Sequence, residues 1–192
     1  MLQYLVFVAA FAALLSAFKY IRSMFSGGVK PNRVTWLMWS VAPLIATAAA
    51  VSNGVGWAVL PVFMAGVCTL LIFVSSFLTK KAYWKLTSFD YGCGILSALA
   101  IVLWLITKEP NVAIVLAIAS DALASVPTLI KAWHHPETES LWVYVTGVFS
   151  GIASFGAAKI WTFSEYAFPA YLIIISILLI SSLYRKKFAK LF

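Results

Sequence analysis

The chain has 192 residues, 63% of them hydrophobic and 10% charged, with 14 Lys+Arg against 6 Asp+Glu for a formal charge of +8. Soluble domains run at roughly 45–50% apolar and 25% charged, whereas mean hydropathy here is +0.97. That balance excludes an ordinary soluble enzyme, a disordered tail and a disulfide scaffold, and leaves room for about seven membrane-crossing segments of ~20 residues with little chain between them.

Seven apolar runs follow in order, at 2–21, 34–52, 55–78, 89–107, 111–132, 140–158 and 163–184. They read as helices because hydrocarbon offers the backbone no hydrogen-bond partner, and they are too long and continuous for barrel strands. The first run lacks a basic stretch before it and a small-residue cleavage site after it, so it is a retained helix rather than a signal peptide. Ser16 is its candidate for contact with a polar solute. In the second run Trp36 reads as an interfacial anchor, and Trp39, one turn deeper, as a cavity residue. The third carries Pro61, a candidate hinge, and Cys68; the fourth, with Cys93 near its start, reads as a joiner. No disulfide is expected between these two cysteines.

The fifth run holds the most informative residue. Asp121 sits near its centre, about ten residues from each end. A charge there costs on the order of 2.5–3.5 kcal/mol on insertion scales, and such a group normally faces the bundle interior on an ion or proton path. Ser125 and Thr128 follow at i+4 and i+7, extending one polar stripe. Pro127 removes the backbone bond to the carbonyl of Leu123 and offers a hinge. In the sixth run, Gly147 and Gly151 form a Gly-xxx-Gly packing face, and Tyr144 is a candidate to line a cavity. Pro169 in the seventh falls near the place that matches Pro61 in the third, which makes it a second candidate hinge. His134 and His135 with Glu137 and Glu139 lack a standard metal spacing, so no metal or other cofactor is expected. Glu137 and Glu139 read instead as loop acids favouring the positive start of the sixth helix.

Counting cations by side gives twelve against two, the larger set lying between runs 1 and 2, 3 and 4, 5 and 6, and after run 7. The positive-inside rule then places the N-terminus outside and the C-terminus in the cytoplasm. It also explains the basic charge without nucleic acid, which is not expected as a partner. The chain further carries a weak copy of itself. Val74-Ser75-Ser76-Phe77-Leu78-Thr79-Lys80-Lys81 matches Ile180-Ser181-Ser182-Leu183-Tyr184-Arg185-Lys186-Lys187 at an offset of 106, and Trp36 matches Trp142 at the same offset. The expected organisation is therefore an all-α integral membrane protein. Residues 1–81 and 111–192 form two parallel three-helix repeats, and 82–110 a linker helix.

A 3+1+3 chain of this size resembles the SWEET and PQ-loop transporter superfamily. The residues that carry the likeness are Ser125-Val126-Pro127-Thr128-Leu129-Ile130-Lys131, where Thr128 stands in the place of the family's glutamine. The aligned place in the first repeat reads Phe18-Lys19, without proline. Sugar-carrying members typically place an asparagine in the third helix of each repeat, and neither 55–78 nor 163–184 contains one. The resemblance implies a small-solute transporter with its binding site between the repeats, here Asp121, Ser125, Thr128, Tyr144, Trp39 and Ser16, with protons as a coupling option through Asp121. Membrane lipid and a small polar solute are the expected partners, a homo-oligomer stays open, and the plasma (inner) membrane of a bacterium is the expected location. The alternative is a seven-helix receptor or sorting protein that binds without transporting. With six acids and one of them mid-span, an enzyme is not expected.

Overall fold

A computed structural model describes residues 4–81, 84–107 and 109–188. Within them the chain forms seven α-helices and no strand. These are α1 (Leu5–Ser26), α2 (Arg33–Ser52), α3 (Leu60–Ser75), α4 (Ser88–Thr107), α5 (Pro110–His134), α6 (Leu141–Ala157) and α7 (Phe163–Phe188). Single 3-10 turns, Trp57–Val59 and Pro136–Thr138, precede α3 and α6. Five helical segments are long and apolar enough to cross a membrane: Leu5–Ser26, Arg33–Ser52, Trp57–Ser75, Pro110–His134 and Phe163–Arg185. Helix α6, at 17 residues, is a shorter apolar helix.

The helix ends follow from local chemistry. Helix α1 continues past the expected end at residue 21, because the polar stretch after Ile21 still permits helix. It stops where Gly27 takes a left-handed φ of 84°, its N–H bonding the Met24 carbonyl while that of Gly28 bonds Ser23. Asn32 caps α2, its Oδ1 accepting from the N–H groups of Val34 and Thr35. Pro110 opens α5 at a position where its missing N–H has no partner to lose. Pro61 does the same for α3. It stands in the first turn, at the junction with the 3-10 turn, and not inside the helix. That corrects the expectation of a mid-helix hinge there: a proline in the first turn removes no helical bond. Pro127 and Pro169 do lie inside α5 and α7.

In each half, the third helix packs beside the other two. Helix α3 lies against α1 and α2, and α7 against α5 and α6. The halves meet where α1 packs on α6 and α2 on α5, while α4 packs on α5 and, less extensively, on α2. Residue size is sorted from inside to outside. The buried set is rich in alanine, including Ala9, Ala13, Ala17, Ala42, Ala46, Ala113, Ala117 and Ala153. Phe7, Phe11 and Phe18 on α1, Ile95 and Leu99 on α4, and Ile174 and Leu178 on α7 are exposed. A water-soluble monomer rarely leaves so much contiguous apolar surface bare. In lipid it is the expected order, since small residues let helices approach and large ones meet the acyl chains.

The glycines mark the closest approaches. A Cβ on Gly151 would lie 2.4 Å from Ile173 Cγ1 and 2.8 Å from the Pro169 carbonyl oxygen, and one on Gly147 would lie 2.4 Å from Ser176 Oγ. Both glycines of the Gly-xxx-Gly thus face α7. Trp36 departs from expectation. It is fully buried, its ring 4.7 Å from that of Tyr20 and 5.4 Å from that of Trp39. It is a core residue of the bundle end, not a lipid-interface anchor. Trp142 is half exposed, with the Lys19 ammonium 4.2 Å above its ring.

Candidate functional site

A cavity of ≈ 80 Å³ lies between the two halves, walled by residues from α1, α2, α3, α5, α6 and α7. Its apolar wall includes Ala13, Cys68 and Ile175; its polar groups are Asp121, Thr69, Thr146, Ser150, Ser176 and the hydroxyl-bearing Tyr144. Trp39 contributes an indole. No Lys, Arg or His lines it among the described residues, and Asp121 is the one carboxyl on that wall.

Asp121 is held from two sides. The Tyr171 hydroxyl on α7 donates to its Oδ2 at 2.7 Å. Ser125, one turn on, donates to the Asp121 backbone carbonyl at 2.7 Å and accepts from Trp39 Nε1 at 2.9 Å. The Tyr171 hydroxyl and Ser125 Oγ are 3.5 Å apart. Trp39, Ser125, Tyr171 and Asp121 therefore form one hydrogen-bonded group running from α2 through α5 to α7. Thr69 on α3 donates to the Trp39 carbonyl at 2.7 Å, which brings a fourth helix to the same place.

Of the expected site residues, Asp121, Trp39 and Tyr144 reach the cavity wall. Ser125 stands behind Asp121 and positions it. Thr128 does not line the cavity: its hydroxyl donates to Thr35 Oγ1 at 2.9 Å, and Thr35 donates to the Ala124 carbonyl at 2.7 Å. Those bonds tie α5 to α2 next to the carbonyl of Leu123, which Pro127 leaves without its helical donor. The polar stripe is thus divided between cavity and helix joint, because a rise of about 1.5 Å per residue carries i+7 about 10 Å along the axis from the level of Asp121, although it stays on nearly the same face. Ser16 is buried but not part of the wall, where α1 presents Ala13 and Ala17 instead.

Two groups are not apparent from the sequence. Tyr171 lies in an Ile-rich helix and reads there as one more lipid-facing aromatic. The available signal is that a buried phenol needs a partner and that Asp121 is an acid at the same depth. The second group is at the basic end. Lys131 and Glu139 form an ion pair of 2.5 Å with both side chains buried. Glu139 Oε2 accepts from the Tyr144 hydroxyl at 2.7 Å and the Tyr20 hydroxyl at 3.4 Å. Lys131 also donates to the Lys30 carbonyl, and the Lys30 N–H donates to the Thr138 carbonyl at 2.9 Å. Glu139 is therefore not the loop acid expected at the start of α6. Lys131 in the last turn of α5 would otherwise be a buried charge without a partner, and the Pro136–Thr138 turn folds the acid back onto it. Glu137 stays exposed, 3.5 Å from the His135 ring. At the opposite end Asn53 Nδ2 donates to Ser164 Oγ at 2.6 Å, and Ser164 donates to Asn111 Oδ1 at 2.9 Å, joining the ends of α2, α5 and α7.

Among the described residues no three His, Cys, Asp or Glu side chains gather as a metal site. Comparison with models of protein families, with curated proteins and with solved structures finds no match.

Proposed function

We propose that this chain is a small-solute membrane transporter that works by alternating access between two three-helix bundles, α1–α3 and α5–α7, with α4 as linker. In this reading all seven helices cross the membrane, the N-terminus lies outside, the basic end faces the cytoplasm, and the membrane is the plasma membrane of a bacterium. The two halves are then parallel repeats, and the shared packing order, with α3 against α1 and α2 and α7 against α5 and α6, supports that. The likeness to the PQ-loop superfamily belongs to the same proposal.

The observation that carries the reading is the carboxyl of Asp121 on the wall of a cavity between the halves. A mid-span acid turned toward lipid or sealed in dry packing would serve only to hold helices together. One on a cavity wall can take up and release a proton or meet a solute. Asp121 is proposed as the coupling group. The test is uptake into proteoliposomes of a panel of amino acids, amines, sugars and vitamins, with and without an imposed pH gradient. Uptake that responds to the gradient is expected, and Asp121→Asn should remove that response. Full uptake with unchanged pH dependence in Asp121→Asn would sink the coupling role.

A second reading is a receptor that binds in the same cavity without transport. The observation behind it is that the bundle is tied at both ends, by Lys131 with Glu139 and by Asn53 with Ser164. Saturable binding without uptake in the same vesicles distinguishes it.

A further inference from the structure

From the cavity chemistry we infer that the site takes a small alkylated ammonium cation. The inference rests on the cavity that the transport reading uses, and it names the class of solute. The wall carries one carboxyl and no basic side chain among its described residues. Lys131 does not supply the missing positive charge, being committed to Glu139 and the Lys30 carbonyl at the bundle end. An anionic solute would meet Asp121 in a largely apolar space with no counter-charge, which is among the most unfavourable arrangements a buried charge can have. A cation finds its counter-charge there.

The rest of the wall selects among cations. Trp39 and Tyr144 both line the space, their rings 6.2 Å apart at an interplanar angle of 82°. The negative π-faces of such rings, not their edges, suit an alkylated ammonium, whose charge is spread over methyl groups and whose hydration is weak. Ala13, Ala17, Ala65, Leu172, Ile175 and Leu179 supply apolar contact for the alkyl groups. A bare metal cation would need several oxygen ligands, and the wall offers one carboxylate and scattered hydroxyls. The space is small. A cavity of about 150 Å³ holds benzene, so ≈ 80 Å³ corresponds to about three or four heavy atoms on that scale. Trimethylammonium meets both the charge and the size.

The experiment is calorimetric titration at neutral pH into the full chain, purified in lipid nanodiscs, with four probes. These are trimethylammonium, the neutral isopropanol and the anion acetate, each of four heavy atoms, and the oversized tetrapropylammonium. Saturable one-to-one binding of trimethylammonium alone is expected, weakened about thirtyfold or more in Asp121→Asn. The variant's thermal unfolding reports whether it is folded. The probe series on the unmodified chain tests the charge and size claims without any substitution. Binding of isopropanol, acetate or tetrapropylammonium as tight as that of trimethylammonium overturns the inference. So does undiminished trimethylammonium binding in folded Asp121→Asn, or no trimethylammonium binding to the unmodified chain. Because no gradient is present, the result separates from the transport reading. Trimethylammonium binding without uptake in proteoliposomes sinks transport and upholds the solute class. Uptake of a neutral or anionic solute with no trimethylammonium binding does the reverse.

Discussion

Lys131 and Glu139 illustrate how a single pair of charges can govern one end of the bundle. Each is buried, and each is the other's main compensation. Removing one partner leaves the other as an uncompensated buried charge, at a cost of about 3–5 kcal/mol. Lys131→Met or Glu139→Gln alone should therefore lower the thermal unfolding temperature in detergent markedly. The double variant Lys131→Met with Glu139→Gln should recover most of the loss. Additive losses in the double variant would show that the pair is not coupled. Tyr171 poses a different question. Tyr171→Phe removes the donor to Asp121 while leaving the ring in place. A loss of about 1–3 kcal/mol in stability is expected, since a buried carboxylate oxygen is left without its donor, and the pH response of uptake should shift. A shift in neither would show that the hydroxyl does not act on Asp121. The two sites differ in how far a reader of the sequence can find them. Asp121 stands out because lipid tolerates no idle charge. Glu139 does not, because nothing in a His-His-Pro-Glu-Thr-Glu loop reveals which acid will fold inward; that depends on where α5 ends in space.

At the scale of helices, the packing seams are set by residues without side chains. Gly151 faces the backbone of α7, so Gly151→Ala must push two helices apart or displace Ile173. A loss of about 1–3 kcal/mol is expected. Gly92 in α4 has open space where a Cβ would stand. Gly92→Ala should be neutral or stabilising by about 0.5–1 kcal/mol, since alanine costs a helix less than glycine. Equal effects of the two substitutions in thermal unfolding would undo the claim that α6 and α7 owe their approach to Gly151. The helices themselves are legible in the sequence, as the polar interruptions and turn residues fall between all seven. What the pattern does not contain is orientation about each helix axis. In an alanine-rich, apolar-all-round helix, the side that faces the core is decided by neighbours. That is why Trp36 reads as an anchor and lies in the core, and why Ser16 reads as a wall residue and is not one.

The whole molecule is held together across its halves as well as within them. Helices α1 and α6, and α2 and α5, make the joint, and the bonds of Thr35, Trp39 and Lys30 cross it. Two co-expressed fragments, divided between Ser75 and Ser88, should assemble and co-purify from membranes. Failure to co-purify, with both fragments present, would mean that the halves need their covalent link. The same joint has a consequence for the birth of the protein. The ribosome delivers α2 long before α5. Until then the Thr35 hydroxyl and the Trp39 indole must wait in the bilayer without the partners they will have at the end. The nascent first half is thus unfinished in its polar bonds until the fifth helix, and not the third, is in place.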